Sequence, residues 1–205
     1  MYKKGNKRKN QAEQTRRHIY ETAAKLFTEK SFEEVTVNDI VAASGTSVGA
    51  FYHHFKNKQG VMVVTYRTLD EQYREYYRDI ICGPECAGKC SIEKIELFMH
   101  NTVELIADIG MDFLSVFYQY ILKDSSVSDS MLDSGREFFS ILREMITEGK
   151  KRGEIPEEVD TEQTIRDLTI IARGCEVEWC ISRGKVEIDS QSMSLIKKYL
   201  RGLTV

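Results

Sequence analysis

The sequence has little of what interrupts helices. Its 205 residues include only two prolines and thirteen glycines, with no low-complexity tract, no internal repeat and no convincing strand pattern. Because proline and glycine are the least favourable residues inside helices, this composition predicts a mostly helical globular chain. The length is enough to bury a substantial core, arranged as one large or two small domains.

The sequence also lacks the motifs that mark several common functions. It has no glycine-rich phosphate loop, no HExxH motif and no serine in a nucleophile-elbow motif, so we predict that the protein is not an enzyme and needs no cofactor. No run of eighteen apolar residues is present, and the basic start continues into polar residues rather than the apolar stretch of a signal peptide. We therefore expect no membrane partner and a cytoplasmic location.

The cysteines form only a weak metal-binding pattern. Cys82, Cys86 and Cys90 are spaced C-x3-C-x3-C in a loop with glycine and proline. Structural zinc sites usually combine C-x2-C or C-x4-C pairs with a fourth ligand, and no adjacent histidine supplies one here. In the cytoplasm these thiols are expected to stay reduced. We predict no bound metal, and a metal- or redox-sensing role for this loop is the alternative hypothesis.

Charge is divided unevenly along the chain. Residues 1–60 carry 11 Lys and Arg against 6 Asp and Glu, a net charge of +5, whereas residues 61–205 carry 18 against 26, a net charge of −8. A basic end on an acidic body indicates that one end meets a polyanion. A polar, disordered tail is predicted over residues 1–10, and it accounts for part of the positive charge.

The segment over residues 36–58 reads TVNDIVAASGTSVGAFYHHFKNK and predicts a helix-turn-helix. Thr36 is a good N-cap, and Asp39 three residues later can reach back to the Thr36 backbone N–H. Gly45 ends the first helix at a position that favours a left-handed residue. Ser47 then caps the second helix.

The second helix, predicted from Val48 to Phe55, has two different faces. Phe51 and Phe55 lie one turn apart and are expected to turn inward. The opposite face carries a mostly small or polar set that suits contact with another surface: Ser47, Val48, Gly49, Ala50, Tyr52 and His53. A short exposed helix held rigidly in this way fits the major groove of DNA. A helical hairpin without a nucleic-acid role could carry the same caps.

This stretch resembles the DNA-binding signature of the TetR family of bacterial transcriptional repressors. The string DIVAASGTSVGAFYHHFKNK agrees with the family pattern at Ile40, Gly45, Ser47, Gly49, Tyr52, Phe55, Lys56 and Lys58. It departs from the pattern at Val41, where a small alanine is usual, at Thr46, where valine is usual, and at Val48, where a basic or polar residue is common. The specific match spans residues 12 to 62, and beyond it the resemblance is architectural only.

The resemblance and the helix faces together imply a set of DNA contacts. Phosphate contacts are expected to supply most of the affinity, and a few base-edge contacts to specify the sequence. Thr36 and Tyr52 are expected to touch phosphate, with Lys58 adding a charge within reach, and His53 is the best candidate for reading a base. The full predicted set is Thr36, Thr46, Ser47, Val48, Gly49, Ala50, Tyr52, His53 and Lys58.

The rest of the chain predicts a helical body with a dimer interface. A long fourth helix is capped by Asn57 and runs to about Ile81, and a Ser/Asp-rich loop is expected over residues 124–130. The helix from Asp160 is apolar on more than one side, which is more than one neighbour would need. In the resembled family the last two helices of each subunit form a four-helix bundle. The interface residues predicted here are Ile165, Ile170, Val177, Ile181, Ile196, Tyr199 and Leu200.

The body also offers the walls of a small-molecule pocket. Apolar side chains with a few polar anchors are typical of such sites, although aromatic residues at helical spacing also build ordinary cores. The predicted pocket residues are Phe98, Met99, Val103, Phe113, Phe117, Phe138, Ile171, Cys175 and Trp179. Glu176 and Glu178 stand out within an apolar helix, because they lie on different faces and cannot both be buried without partners. They attract a cationic effector in one interpretation and pair with Arg173 or Arg183 across the dimer in the other.

The sequence therefore predicts an all-α protein with three parts: a disordered tail (1–10), a helix-turn-helix DNA-binding domain within an N-terminal three-helix bundle (11–57), and a helical effector-binding and dimerisation domain (58–205). The predicted function is a homodimeric transcriptional repressor that binds palindromic double-stranded DNA and is released by a small-molecule effector. A DNA-binding protein of the same fold without an effector is the second hypothesis.

Overall fold

The computed structural model describes residues 3–123 and 125–203, and these residues form α-helices joined by short connections, with no strand among them. In chain order the helices are α1 Lys3–Glu29, α2 Val37–Ser44, α3 Val48–His54, α4 Gly60–Tyr76, α5 Ser91–Ile109, α6 Met111–Ile121, α7 Ser125–Leu132, α8 Glu137–Lys151, α9 Thr161–Ile181 and α10 Ile188–Arg201. A π-helical turn, Tyr77–Ile81, extends α4, and a 3-10 turn, Pro84–Cys86, follows. The predicted all-α class is confirmed. None of the described helices combines the length and apolar character needed to span a bilayer.

The chain divides into two compact units, Met1–Tyr66 and Arg67–Val205. The division falls inside α4, whereas the sequence analysis placed a domain boundary before that helix, between residues 57 and 58. Helix α4 is therefore the covalent connection between the units. Its start is capped by Asn57, as predicted, because the Gly60 N–H donates to the Asn57 side-chain oxygen at 2.7 Å.

The N-terminal unit is a small bundle in which α1 braces α2 and α3. Its core consists of large apolar side chains with almost no exposed surface, namely Ile19, Phe27, Phe32, Val35, Ile40, Phe51, Phe55 and Val61. The rings of Phe27 and Phe32 pack with centroids 4.8 Å apart, and those of Phe51 and Phe55 with centroids 5.5 Å apart. A ring nitrogen of His18 on α1 also lies 3.1 Å from the Ser44 carbonyl oxygen at the end of α2.

The predicted caps of the helix-turn-helix are present. The Thr36 N–H donates to Asp39 Oδ2 at 2.8 Å, and the Asp39 N–H donates to Thr36 Oγ1 at 3.1 Å. The Thr36 hydroxyl, which donates to Asp39 Oδ2 at 2.6 Å, and the Thr36 N–H together lower the pKa of the Asp39 carboxyl. Gly45 ends α2 with a φ of 60°, in the left-handed region that glycine adopts without a Cβ penalty. The Ala50 N–H donates to Ser47 Oγ at 3.1 Å and so fixes the start of α3.

The structure differs from the predictions in two places. Helix α1 begins at Lys3, so residues 3–10 are helical where a disordered tail was expected, and residues 1 and 2 of that tail lie outside the described residues. A helix nucleated by the packed residues from Ile19 onward can propagate through lysine, arginine and glutamine, which are good helix formers. The expected loop at 124–130 is largely the separate helix α7, and α8 starts only after a turn in which the Gly135 N–H donates to Asp133.

The C-terminal unit is a bundle in which α10 packs on α5 and α9, α8 packs on α5 and α9, and α6 packs on α9. Its fully buried side chains include Ile95, Phe98, Met99, Leu142, Ile146, Leu168 and Ile196. The predicted start of α9 at Asp160 is confirmed, since Asp160 Oδ1 accepts the Gln163 N–H at 3.0 Å. Gly153 follows α8 with a φ of 69°, in the left-handed region.

Two ion pairs tie the second half of α4 to the start of α8. Arg136 donates two hydrogen bonds to the Asp70 carboxylate, at 2.9 and 2.8 Å, and both side chains are largely buried. Arg74, one turn further along α4, pairs with Glu137. A planar guanidinium matched to a carboxylate restricts orientation as well as distance, so this part of α4 is held to α8 in one register.

Helix α8 approaches the first turn of α5 closely. A Cβ atom added at Gly149 would lie 2.7 Å from Ile155 Cδ1 and 2.9 Å from Ser91 Cβ. Glycine at this position therefore allows α8 to touch the first residue of α5.

We expect the substitution Gly149→Ala to lower the free energy of unfolding by about 1–3 kcal/mol, because an extra methyl group overpacks this contact. The loss should appear in urea denaturation even though alanine is the better helix former by about 1 kcal/mol. The control is Thr147→Ala, at an exposed position of the same helix, for which a change within about 0.5 kcal/mol is expected. Equal stability of both variants would contradict the packing account.

Candidate nucleic-acid interface

The exposed face of α3 contains the side chains predicted to contact DNA. Tyr52 is 53% exposed, Val48 and His53 are also exposed, and Ala50 is half-buried. On the opposite face Phe51 is fully buried and Phe55, directly after the helix, is almost fully buried. Two inward aromatic anchors one turn apart therefore determine which side chains of this short helix face outward.

Gly49 lies on the same outward face, and the fold itself does not require a glycine there. A Cβ atom at this position would meet only Ser47 Oγ, at 3.9 Å, and its φ is not in the left-handed region. A glycine in a helix interior costs about 0.5–1 kcal/mol relative to alanine. An exposed helix that accepts this cost without an internal steric reason is suited to close approach by another surface.

The hydroxyl groups of the predicted set are already engaged within the unit. Thr36 and Ser47 hold the capping hydrogen bonds of α2 and α3, and Thr46 Oγ1 lies 2.8 Å from Ser44 Oγ. These hydrogen bonds position the two helices. The sequence predicted them for Thr36 and Ser47 but not for Thr46. Among the predicted contacts, the outward side chains that make no such capping bond are those of Val48, Tyr52 and His53.

Lys58 has a structural use that the sequence analysis missed. Its Nζ donates to the backbone carbonyls of Phe32, at 2.6 Å, and Val35, at 2.8 Å, and lies 4.1 Å from the centroid of the Phe32 ring. Burial lowers the pKa of the Lys58 ammonium group. Two of its three N–H groups therefore bind the loop before α2. The prediction had assigned this charge to phosphate contact alone and is corrected in that respect. Lys56 is exposed.

The predicted effector-pocket residues lie on four helices of the C-terminal unit. Six of them are buried on α5, α6 and α8, namely Phe98, Met99, Val103, Phe113, Phe117 and Phe138. On α9, Cys175 is buried, whereas Ile171 and Trp179 are half-buried. The structure brings Phe98 and Phe138 together, with ring centroids 5.9 Å apart, and both rings lie 5.8 Å from that of Tyr73. In this conformation these three rings pack against one another.

The predicted dimer residues divide into two groups. Ile165, Ile196 and Leu200 are buried within the chain itself, so they leave no surface for a partner, and this part of the prediction is corrected. Tyr199 is half-buried; its hydroxyl donates to Asp167 at 2.8 Å, and burial together with that bond raises its pKa to about 12.

The second group forms one exposed face of α9. Ile170 is 62% exposed, Ile181 is 70% exposed, and Val177 is exposed as well. Gly174 lies between them on the same face, and a Cβ there would have no atom within 4 Å. The spacing 170, 174, 177 and 181 gives a continuous stripe along the helix. We call these four positions the α9 stripe.

Glu176 has a hydrogen-bond partner on α6 within the same chain. The Tyr118 hydroxyl donates to the Glu176 carboxylate. Burial raises the pKa of this carboxyl, while the Tyr118 bond and the nearby Arg173 charge act in the opposite direction. The carboxylate therefore lies inside the unit, with one neutral donor from a neighbouring helix.

The cysteine loop contains no metal-binding cluster. Cys82 is exposed, Cys86 is buried and Cys90 is half-buried, and all three are free thiols. Across residues 3–123 and 125–203, the side chains of His, Cys, Asp and Glu form no group of three that could hold a metal ion.

Comparison with known proteins shows relatives of this chain. The family model described as "Bacterial regulatory proteins, tetR family" matches residues 19–63. The HTH-type transcriptional repressor KstR2 of Rhodococcus jostii is 26% identical over 191 residues, which are 92% of this chain and 90% of that protein. The fatty acid metabolism regulator protein of Bacillus subtilis is 22% identical over 187 residues, covering 90% of this chain and 93% of that one.

Solved structures show the same fold along nearly the whole chain. FadR from Bacillus subtilis in complex with stearoyl-CoA matches with a TM-score of 0.70 at 21% identity, covering 90% of this chain and 97% of that chain. FadR from Thermus thermophilus in complex with lauroyl-CoA matches with a TM-score of 0.69 at 18% identity, covering 93% and 95%. The capped helix pair and its outward face define a helix-turn-helix DNA-binding regulator. Residues 19–63 match the DNA-binding domain of the TetR family of bacterial transcriptional regulators, and the resemblance is confirmed.

We expect Gly49→Ala to leave the free energy of unfolding unchanged or to raise it by up to about 1 kcal/mol, because alanine is the better helix former. Affinity for operator DNA should fall by about tenfold or more, a loss of about 1.4 kcal/mol, because the added methyl group holds α3 away from the groove. Fluorescence anisotropy and urea denaturation measure the two quantities. The control Gly88→Ala, at an exposed position with no atom within 4 Å, should change neither. Full DNA affinity of Gly49→Ala would rule out close approach at this position.

The substitution Lys58→Met should destabilise the free protein by about 1–3 kcal/mol, because it leaves two carbonyl groups without their charged donor. The matched substitution Lys56→Met should leave stability unchanged and reduce the slope of log affinity against log salt by about 0.9, the value for one phosphate contact. Thermal melts and DNA titrations at several salt concentrations separate the two effects. If Lys58→Met changes only the salt slope, the structural role assigned to Lys58 is wrong.

Proposed function

We propose that this regulator is a homodimeric repressor that binds a palindromic DNA operator and is released from it when a long-chain acyl thioester binds its C-terminal unit. Residues 11–57 act as the DNA-binding domain, and residues 58–205 as the effector-binding and dimerisation domain. The protein works by occupying its operator and not by catalysis, in the cytoplasm.

The observation that carries the DNA-binding part is the outward face of α3, with exposed Tyr52 and His53 beside a glycine that the fold does not need. The first 60 residues carry a net charge of +5, so this face belongs to the basic end of the chain. In the proposal Tyr52 and the exposed Lys56 contact phosphate, while Val48, Ala50 and His53 face base edges. Thr36, Thr46 and Ser47 hold the helices in place, and the N-termini of α2 and α3 then face the DNA phosphates.

Two-fold symmetry gives such a short helix enough affinity and specificity. Two copies of α3 would reach half-sites about 34–36 Å apart, one turn of the double helix. The α9 stripe supports this assembly, because an exposed apolar row with a glycine at its centre suits close packing against the same row of a second copy. In the resembled family the two terminal helices of each subunit form such a bundle.

We expect Ile181→Glu to convert the dimer to a monomer, because it places a charge in the apolar stripe. Light scattering coupled to size-exclusion chromatography measures the mass, and operator affinity should fall together with dimerisation. The matched control is Leu122→Glu at the end of α6, since Leu122 is 84% exposed and lies off the stripe. The proposed interface is wrong if the Ile181→Glu protein keeps the mass of a dimer.

The effector class follows from the interior of the C-terminal unit and from its relatives. Aromatic and aliphatic side chains from α5, α6, α8 and α9 provide the walls, and two relatives of the same fold are complexes with stearoyl-CoA and lauroyl-CoA. The Glu176 carboxyl inside the unit offers no positive charge to pair with a free carboxylate. An acyl chain ending in an uncharged thioester needs no such partner. The proposal places the chain between the Phe98–Phe138 pair and the α6–α9 contact.

Release from DNA requires only that the effector prefers one of two packings of the body. Helix α4 connects the units, and the Asp70–Arg136 pair fixes its second half to the start of α8. Phe138, a proposed wall of the acyl site, lies two residues after Arg136. An acyl chain that displaces Phe138 thus acts on the segment that holds α4.

Lauroyl-CoA and stearoyl-CoA are expected to release the protein from its operator at concentrations at which coenzyme A and acetyl-CoA do not, because only a long chain reaches the apolar interior. Fluorescence anisotropy of labelled operator DNA follows the release. The same ligands should raise the melting temperature of the free protein. At a hundredfold excess over Kd, binding adds about 2.7 kcal/mol to the free energy of unfolding. If neither effect occurs with any chain length, the acyl effector is refuted while DNA binding stands.

The second candidate is a DNA-binding protein of this fold with no effector. It differs in one measurable way, since no small molecule would then change operator affinity. The metal- or redox-sensing alternative through Cys82, Cys86 and Cys90 has no support from the described residues, in which Cys86 is buried and no metal-ligating cluster forms.

A further inference from the structure

A separate cavity with charged and apolar walls lies in the C-terminal unit. It has a volume of about 150 Å³ and is bounded by the π-helical turn after α4, the first turn of α5 and one face of α8. None of the residues predicted from the sequence as pocket walls lines it. A cavity of this size can hold a molecule of about six to ten non-hydrogen atoms, since an apolar cavity of ~150 Å³ accepts benzene.

The walls of this cavity combine opposite charges with a small apolar floor. Lys94 from α5 and Arg152 from the end of α8 carry positive charge, and Glu144 and Glu148 on α8 carry negative charge. Ile81 and Met145 supply the apolar part. Arg152 is paired with Glu154, so Lys94 and the two glutamates are the charged groups left for a ligand, and a ligand with one positive and one negative group matches them.

The acidic side of the cavity is organised by Tyr77. Its hydroxyl is hydrogen-bonded to Glu144, and burial together with this bond raises the pKa of Tyr77 above its usual range. The phenol therefore stays protonated and donates a hydrogen bond to the Glu144 carboxylate. Glu148, one helical turn further along α8, is exposed and forms no ion pair within the described part of the chain.

The basic side is organised by Glu154. Partial burial opposes ionisation of this carboxyl, but the Ser91 N–H, which donates to it at 2.7 Å, and the charge of Arg152 lower its pKa. Arg152 lies 3.2 Å from Glu154 and is thereby held at the rim. Lys94 lies near enough for its charge to lower the pKa of Glu154 as well, but it forms no salt bridge among residues 3–123 and 125–203, and its ammonium group is the cation proposed to engage a ligand.

The position of the two sides is rigid. The Gly149–Ser91 contact brings α8 against the first turn of α5, and the Glu154–Ser91 bond links the same turn to the segment after α8. These contacts join the α5 turn that precedes Lys94 to the α8 segment that follows Glu144 and Glu148.

We propose that this cavity binds a small zwitterion, an α-amino acid whose ammonium group meets Glu144 and Glu148 and whose carboxylate meets Lys94. Ile81 and Met145 accept a short apolar side chain. The cavity adjoins the π-helical turn that ends α4, so the ligand touches the helix that connects the two units. This second site does not depend on the acyl effector or on DNA.

Direct binding to the full-length protein without DNA tests the proposal. Thermal-shift measurements with the proteinogenic L-α-amino acids select candidates, and calorimetry then measures stoichiometry and Kd. At least one amino acid should bind one per chain with a Kd of about 1 mM or tighter. If that ligand is leucine, 3-methylbutylamine and 4-methylpentanoate, which each lack one of its charges, should bind at least about tenfold more weakly.

Lys94→Met and Glu148→Gln should each weaken binding by about tenfold or more. Both side chains retain exposed surface, so the fold should tolerate their loss, and melting curves check this. Lys94→Gln and Glu144→Gln serve as a second pair if either first variant melts early. Lys151→Met and Glu157→Gln are matched controls, because both residues are exposed and neither lines the cavity.

Three results would overturn the proposal: no amino acid binds, a single-charge analogue binds as tightly as the amino acid, or the cavity variants bind like the controls. Failure of acyl-CoA to release the operator leaves this site intact, because calorimetry is done without DNA. Binding that the cavity variants abolish establishes the site whether or not operator affinity changes.

Discussion

The burial of Phe51 and Phe55 on one side of α3 is the constraint on which the DNA-binding surface depends. A helix of seven residues has too few backbone hydrogen bonds to hold its own orientation, so its direction is fixed by these anchors and by the caps at Thr36 and Ser47. Once the two rings are inside, the other face has to meet solvent or a partner. The outward position of Tyr52 and His53 is therefore a consequence of core packing in the N-terminal unit.

Much of this arrangement could be predicted from the sequence because it rests on local chemistry. The Thr36–Asp39 capping box, the left-handed Gly45 and the Ser47 cap each involve residues within a few positions of one another, and all three are present. The start of α9 could be predicted in the same way, from the cap residue Asp160. Short-range hydrogen bonds and backbone preferences leave a clear pattern in the order of residues.

The features that could not be predicted depend on residues far apart in the chain. Nothing near Lys58 shows that it will bond the carbonyls of Phe32 and Val35, and nothing near Asp70 shows that Arg136 will meet it. Apolar periodicity marked α9 and α10 as buried helices but could not separate the core residue Ile165 from the exposed Ile170. The cavity beside the π-helical turn was missed for a related reason. Its charged residues lie on separate segments, and in the sequence each segment has the pattern of an ordinary solvent-exposed helix face.

The exposed isoleucines of α9 have a consequence for how the regulator responds to its own abundance. In the proposed dimer this surface is covered by a second copy, and the amount of dimer rises with the square of the monomer concentration. A cell that halves its copy number would thus lose more than half of its assembled regulator. In this proposal the threshold for silencing a promoter is determined as much by expression level as by any ligand.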